Sequence, residues 1–332
     1  MKSSFPVRSL LVLLPVILSY CLVLSPSCTS STASGAPEPP AGYANNNTLK
    51  VAYATGMLKL IEDKPEVPAN IKVSRDLVYK VTQEKTLKLD IYHLDSLDGE
   101  RPLLVFIHGG SWKKGNKDDY RRYLVDYAQK GYVTATVAYR FSQEATFPAA
   151  FDDVVCAIKW LKSRAADYHI DPERVAVIGG SAGGHLAMMV GYHARDENYQ
   201  GECATDETDA GVKAIVNLYG PVDLTTDFAI NHPSVQQLIG MEYSGETKSA
   251  YKACSPITFI TPDDPPTLTF HGTIDDIVPI VQADMLDEAL RKENIASYYH
   301  RLDGWPHTMD LSLKINNYCQ YYMDEFFQKH LE

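Results

Sequence analysis

The chain has 332 residues, of which 45% are hydrophobic and 22% charged; these ordinary globular values exclude a disordered chain or a fibre. Its length allows one large domain or two. The formal net charge is −11, from 31 Lys and Arg against 42 Asp and Glu, and no basic cluster offsets it. Because such a chain repels phosphate backbones, a nucleic acid partner is not expected.

Residues 1–27 have the layout of an export signal peptide. Lys2 and Arg8 precede an uncharged apolar run over residues 9–24, and small residues follow just before Cys28. The run is shorter than the roughly 20 apolar residues that a membrane span needs. We therefore predict that the protein is exported, and that it is periplasmic, secreted or lipid-anchored at a bacterial cell surface.

Residues 28–48 are rich in Ser, Thr, Ala and Pro, a composition that predicts a flexible polar linker. A cysteine at the start of such a linker resembles a bacterial lipoprotein tether, but Ser25 stands where Leu is usual three residues earlier. Lipid attachment at Cys28 and plain secretion both remain open, and a membrane contact is expected only through that anchor. Residues 49–332 are predicted to form one folded domain.

Four further cysteines follow Cys28, and an oxidising compartment permits disulfides among them. Cys156 lies on the apolar face of a predicted helix and is expected to be a core residue. Cys203 and Cys254 flank a loop-rich stretch, and we predict a disulfide between them. No Cys-x-x-Cys or His-rich spacing indicates a metal site, and no cofactor is expected.

Short apolar runs alternate with helical patterns along most of the chain. Two strand-like runs come first, at 71–80 and 86–94. Continuous apolar runs, typical of strands covered on both faces, follow at 103–107, 133–139, 175–178, 214–218 and 267–270, and a last strand is expected at 297–302. Helices are expected at 120–130, 149–166, 185–194, 281–292 and 311–330. This alternation predicts an α/β fold with a mostly parallel sheet and helices on both faces.

Residues 225–255 interrupt the alternation between two predicted strands. They contain Pro233, Gly240, Gly245 and scattered aromatic residues. A long connection of weak periodicity is uncommon in a compact domain and is usually functional. Both a lid over a substrate and a plain pair of surface helices fit this pattern.

The strongest chemical signal is Gly-Gly-Ser-Ala-Gly at residues 179–183, directly after a predicted strand and before a predicted helix. A nucleophilic serine needs such a sharp, strained turn to expose its hydroxyl, and small neighbours let the backbone make it. The alternatives are a glycine-rich turn or a phosphate-binding loop, but the Gly-Lys-Ser/Thr of a phosphate-binding loop is absent. Ser181 is therefore the candidate nucleophile.

A second motif, His-Gly-Gly-Ser-Trp at residues 108–112, ends the first buried strand. Consecutive glycines leave backbone N–H groups uncrowded, and these groups are suited to bind an oxyanion together with the N–H of Ala182. Gly109, Gly110 and Ala182 are thus candidate oxyanion donors. His108 itself is expected to hold the loop through hydrogen bonds.

A serine nucleophile needs a base, and the base needs an acid that orients it. His307 lies in a loop between the last predicted strand and the final helix, whereas His271 and His300 fall within or at the end of strands, where a structural role is expected. Another buried strand runs into an acidic turn at Asp275 and Asp276. Either of these two carboxylates alone could instead cap the helix that follows.

These motifs resemble those of hormone-sensitive-lipase-like α/β-hydrolases, and most closely the exported bacterial acetyl and feruloyl esterases of plant cell-wall polysaccharides. The similarity extends from about residue 77 to the C-terminus. It includes, besides the motifs above, segments in register at 90–92, 147–153, 170–174, 255–258, 265–266 and 271–272.

The resemblance implies that residues 49–332 form an α/β-hydrolase catalytic domain with a small lid insertion at about 225–255. It implies a carboxylesterase that forms an acyl-enzyme, with acetyl or feruloyl esters of small molecules or polysaccharides as substrates. The family's site residues fall on Ser181 as nucleophile, Asp275 as acid, His307 as base, and Gly109, Gly110 and Ala182 as oxyanion donors. Ser111 and Gly180 replace a Gly and an Asp that many of these enzymes have, as is frequent in the wall-esterase branch.

Three other functions remain open. A serine peptidase of the same fold is one, although such enzymes usually carry an N-terminal propeller. A lipase is another, and it would need a broad apolar acyl pocket. A non-catalytic binding protein on a hydrolase scaffold is the least favoured, because all three triad positions are present; fold alone does not decide function.

Overall fold

The computed structural model describes residues 35–194, 201–203 and 208–332. The predicted signal peptide, the Cys28 anchor and residues 28–34 of the predicted linker lie outside the described residues, so these remain predictions. None of the helices within the described ranges combines the length and apolarity that a membrane span requires.

An eight-stranded sheet runs through the domain. In chain order, its strands are β1 (Ile71–Val81), β2 (Thr86–Leu94), β3 (Arg101–Ile107), β4 (Val133–Val137), β5 (Ile170–Gly180), β6 (Ala214–Leu218), β7 (Thr267–Gly272) and β8 (Ser297–Leu302). Their spatial order is β1-β2-β4-β3-β5-β6-β7-β8. The pairs β1–β2 and β2–β4 are antiparallel, and the other neighbours are parallel. The mostly parallel sheet predicted from the apolar runs is confirmed.

Helices cover both faces of the sheet. They are α1 (Asn46–Ala54), α2 (Arg121–Gln129), α3 (Ala149–Ser163), α4 (Ala182–His193), α5 (Asp227–Ile230), α6 (Pro233–Ile239), α7 (Lys248–Ala253), α8 (Val281–Lys292) and α9 (Leu313–Leu331). Because side chains alternate along a strand, Leu103 and Val105 belong to the core that includes α3 and α4. Leu104 and Phe106 belong to the opposite core, with α2 and α9. Burial on both faces explains the continuous apolar run of β3.

The domain begins earlier than residue 49, which the composition predicts as its start. The compact unit starts at Pro37. The indole Nε1 of Trp305 donates to the carbonyl of Pro40 at 2.8 Å, and the N–H of Tyr43 donates to the carbonyl of Gly304 at 2.8 Å. Part of the predicted linker, residues 40–43, thus forms hydrogen bonds with the loop after β8, and residues 46–48 already belong to α1.

The predicted disulfide between Cys203 and Cys254 is wrong. Cys203 is bonded to Cys156 of α3, with 5.5 Å between the two Cα atoms, and Cys254 is a buried free thiol. Lys159, three residues along the same helix, donates to the carbonyl of Cys203 at 2.8 Å. One face of α3 therefore contacts this segment twice. The spacing of the cysteines does not show which helix residues 201–203 contact. For this reason the sequence led to the wrong disulfide partner.

We expect Cys203→Ser to lower the free energy of unfolding by about 2–4 kcal/mol, because a cross-link between distant residues restricts the unfolded chain. The two cysteines are 47 residues apart. Urea denaturation with and without dithiothreitol measures the effect. The reductant should reproduce the loss in the wild type and leave the variant unchanged. Equal stability of the oxidised wild type and the variant would contradict the bond.

Candidate active site

Ser181 lies on the turn between β5 and α4. Its backbone has φ 55° and ψ −121°, a conformation that non-glycine residues rarely adopt and that costs about 1–3 kcal/mol. Two hydrogen bonds hold the turn: the Ser181 N–H donates to the carbonyl of Leu218 at 2.8 Å, and the N–H of His185 donates to the Ser181 carbonyl at 3.0 Å. This is the strained strand-to-helix turn that the motif at 179–183 predicts.

The structure brings Ser181, His307 and Asp275 together from three separate parts of the chain. The Nε2 atom of His307 is 3.0 Å from Oγ of Ser181, and its Nδ1 atom is 2.7 Å from Oδ2 of Asp275. The side chains of His307 and Asp275 are 8% and 0% exposed, so water is largely kept from their contact. Asp276 is exposed and instead accepts from the amide of Asn46 at 3.0 Å. Of the two adjacent carboxylates, Asp275 is the one that faces the imidazole.

The turn after β7 holds the Asp275 carboxylate in place. Its Oδ1 accepts from the N–H groups of Ile277 and Val278, both at 2.9 Å, and its Oδ2 is 3.3 Å from Nε2 of His271. Burial acts to raise the pKa of Asp275, but hydrogen bonds from His271 and His307 outweigh it and hold the pKa well below its usual range. An ionised Asp275 favours the His307 tautomer with a proton on Nδ1, which leaves Nε2 able to accept from Ser181.

The three predicted oxyanion donors lie around Ser181. A Cβ built on Gly109 would stand 3.4 Å from Cβ of Ser181, so this backbone passes directly beside it. Gly110 has φ +110°, and the carbonyl of Lys114 leaves no room for a side chain there. Among the described residues, the N–H groups of Gly109 and Gly110 have no hydrogen-bond acceptor. Ala182 is the first residue of α4, where backbone N–H groups lack intrahelical acceptors, so all three donors are available to an anionic oxygen.

The loop that bears Gly109 is held from two sides. His108 has the structural role expected of it, since its Nδ1 bonds the Gly109 carbonyl at 2.9 Å while the Tyr139 hydroxyl donates to the His108 carbonyl at 2.9 Å. The indole of Trp112 donates to Nδ1 of His185 at 3.3 Å, linking the loop to α4. Trp112 belongs to the 108–112 motif and His185 follows the 179–183 motif closely. Nothing in the sequence predicts the hydrogen bond between them.

Ser181 borders two spaces of very different size. A cleft of about 510 Å³ has Gly109, Ser181 and His307 among its walls. A pocket of about 20 Å³ lies at Ser181 and Ala182, and His307 is not among its lining residues. Part of the large cleft is lined by Tyr120, Tyr123, Tyr219 and Asp310. Within the described ranges, no group of His, Cys, Asp and Glu side chains is arranged to hold a metal ion.

The insertion at 225–255 forms a wall of the small pocket. It folds into the short helices α5, α6 and α7, and it contributes Phe228, His232 and Val235 to the pocket lining. Val235 is 2% exposed and belongs to the core that includes α3 and α4. The insertion is thus more than a plain pair of surface helices, because its inner residues border Ser181.

The chain matches the model of the BD-FAE family from residue 89 to residue 290, which is more than half of its length. The chain belongs to the BD-FAE family. The matched region includes Ser181, Asp275 and the glycines of the 108–112 motif, and His307 follows it along the chain.

Two proteins of Mycobacterium tuberculosis are similar to this chain. It is 33% identical to the probable carboxylic ester hydrolase LipM of Mycobacterium tuberculosis over 67% of this chain and 53% of LipM. It is 30% identical to the esterase LipQ of the same organism over 69% of this chain and 56% of LipQ. The BD-FAE chain therefore spans about half the length of the mycobacterial relatives that it matches.

Solved structures of two esterases are similar to this BD-FAE chain. A truncated carbohydrate esterase from gut microbiota has a TM-score of 0.67 and 26% identity, covering 81% of this chain and 98% of that one. Esterase 2 of Thermogutta terrifontis, in its apo form, has a TM-score of 0.67 and 26% identity, covering 80% of this chain and 96% of that one. The α/β-hydrolase fold implied by the sequence motifs is confirmed.

Proposed function

We propose that the protein is a carboxylic ester hydrolase in which Ser181 is the nucleophile, His307 the general base and acid, and Asp275 the residue that orients His307. The geometry of these three side chains is the main support: His307 lies 3.0 Å from the Ser181 hydroxyl and 2.7 Å from the Asp275 carboxylate. The ester hydrolases among its relatives support the same reaction class.

The reaction proceeds in two steps. His307 takes the proton of Ser181 as Oγ attacks the ester carbonyl, and Asp275 stabilises the imidazolium that forms. The N–H groups of Gly109, Gly110 and Ala182 stabilise the negative oxygen of the tetrahedral intermediate. The alcohol then leaves with a proton from His307, and water hydrolyses the acyl-enzyme by the same route.

Proton transfer from His307 assigns the two spaces around Ser181. The leaving alcohol oxygen must lie within hydrogen-bond reach of Nε2, so the alcohol occupies the cleft that His307 lines. The acyl group then lies on the other side of Ser181, in the pocket next to Ala182. The large space therefore receives the alcohol and the small one the acyl group.

The size of the acyl pocket favours acetyl esters. Its volume of about 20 Å³ accepts one group the size of a water molecule or a methyl. A feruloyl group or a long acyl chain is many times larger. The cleft of about 510 Å³ has room for an alcohol as large as a sugar. We therefore infer a preference for acetyl esters of bulky alcohols, with acetylated polysaccharides as the natural class.

Phe228→Ala tests this assignment. Removing the ring widens the acyl pocket, and a site discriminates by about 10–200-fold for one methylene in a hydrophobic pocket. We expect the wild type to prefer p-nitrophenyl acetate to the butyrate, and the variant to raise the butyrate-to-acetate ratio of kcat/KM at least about tenfold. Phe259→Ala is the matched control. The ring of Phe259 stacks on that of His193, with 3.8 Å between the ring centroids, and Phe259 does not line the pocket. Wild-type preference for methyl ferulate or p-nitrophenyl palmitate would contradict the acetyl assignment.

A further inference from the structure

Asp310 is a buried acidic side chain beside the site that the proposed mechanism does not use. It is 3% exposed and lies in the helical turn Met309–Leu311, just after His307. The hydroxyl of Tyr219 donates to its Oδ1 at 2.5 Å, and the hydroxyl of Tyr123 lies 3.5 Å from its Oδ2. One oxygen is thus well bonded, while the other has a donor only at the limit of hydrogen-bond distance.

A buried carboxylate with a poorly satisfied oxygen favours a further donor. Leaving such an acceptor unpaired costs free energy, and each carboxylate oxygen has room for two hydrogen bonds. Burial raises the pKa of Asp310, even though the hydrogen bond from Tyr219 acts in the opposite direction. A hydroxyl from a bound molecule would give Oδ2 a closer donor than the Tyr123 hydroxyl.

Asp310 and Tyr219 both line the large cleft, together with Ser181 and His307. The ring of Tyr219 packs edge-on against His307, with 4.7 Å between the ring centroids. Its hydroxyl lies 3.0 Å from where a Cβ on Gly180 would be, next to the nucleophile. This polar pair is therefore on the side of Ser181 where the leaving alcohol lies.

We propose that Asp310 and Tyr219 form a subsite that binds a hydroxyl group of the alcohol part of the substrate, and so select esters of polyhydroxy alcohols such as sugars. This inference rests on the proposed esterase function. The substrate hydroxyl donates to Oδ2 of Asp310, and Tyr219 holds the carboxyl group in place through Oδ1. The ester of an aryl or cycloalkyl alcohol that has no hydroxyl group besides the esterified one cannot make this contact.

The experiment compares kcat/KM for a monoacetylated methyl xyloside and for p-nitrophenyl acetate. In Asp310→Asn, we expect the ratio of the xyloside value to the aryl value to fall at least about tenfold, because a hydrogen bond to a charged group is replaced by a weaker one. Tyr219→Phe should lower the ratio less. The matched control is Asp303→Asn, an exposed aspartate in the preceding loop that does not line the cleft and should keep the wild-type ratio.

A second measurement needs no variant and so does not depend on folding. Wild-type enzyme should hydrolyse the acetylated xyloside at least about tenfold more efficiently than cyclohexyl acetate, which has a similar ring without hydroxyls. Equal efficiency on these two esters would overturn the subsite. So would an Asp310→Asn variant that loses activity on both substrates by the same factor, because that result indicates only support of His307. If the wild type hydrolysed no ester at all, the proposed function itself would fail, which is a different outcome.

Discussion

Replacing Ser181 by alanine is expected to lower kcat for p-nitrophenyl acetate by a factor on the order of 10⁴–10⁶. The substitution removes the only atom that can bond to the acyl carbon in the proposed reaction. Residual turnover would come from the N–H groups of Gly109, Gly110 and Ala182, which still stabilise a negative oxygen.

The structure of the Ser181→Ala variant should be unchanged, because alanine fits the same turn and the backbone hydrogen bonds to Leu218 and His185 remain. Thermal unfolding followed by circular dichroism checks this. Ser163→Ala serves as the control, since Ser163 is exposed at the end of α3. Undiminished ester turnover in a folded Ser181→Ala protein would exclude Ser181 as the nucleophile.

Asp275→Asn is expected to lower kcat about 10⁴-fold while leaving the fold intact. The asparagine oxygen can still accept from Ile277 and Val278. The amide NH₂ group then faces Nδ1 of His307 as a donor, and the charge that stabilises the imidazolium is lost. His307 would therefore adopt the tautomer with its proton on Nε2, where it cannot accept from Ser181.

The adjacent residue provides a stringent control for this prediction. Asp276→Asn makes the same chemical change one position along, on an exposed side chain that contacts Asn46. Steady-state kinetics on p-nitrophenyl acetate should show wild-type activity for that variant. A loss of activity in Asp276→Asn as large as that in Asp275→Asn would contradict the assignment of the orienting carboxylate.

Most of the sheet could be predicted from the sequence because burial on both faces leaves a simple pattern. The strands at 86–94, 214–218 and 297–302 were predicted with the bounds that the structure has. The nucleophile turn was similarly clear, since a local motif contains all the glycines that the turn at Ser181 needs. These features depend on residues that are close together in the sequence.

The parts that could not be predicted depend on contacts between distant residues. The segment from Pro37 to Tyr43 has the composition of a linker, and its hydrogen bonds to residues far along the chain, Trp305 and Gly304 among them, explain why it lies on the domain. The disulfide partner of Cys203 depends on which helix residues 201–203 contact. The residues alone left Asp275 and Asp276 both open, and the family resemblance selected Asp275; the choice depends on the turn after β7, which directs Asp275 toward His307 and Asp276 toward the exposed Asn46.

Covalent labelling with a fluorophosphonate, followed by peptide mass spectrometry, tests the central claim most directly. The reagent reacts with an activated serine in the site and stops turnover once bound. We predict one label per chain, on the peptide that contains Ser181, with loss of ester hydrolysis in proportion to labelling and no label on Ser181→Ala. A label on a different serine, or full ester hydrolysis by protein labelled at Ser181, would contradict the account.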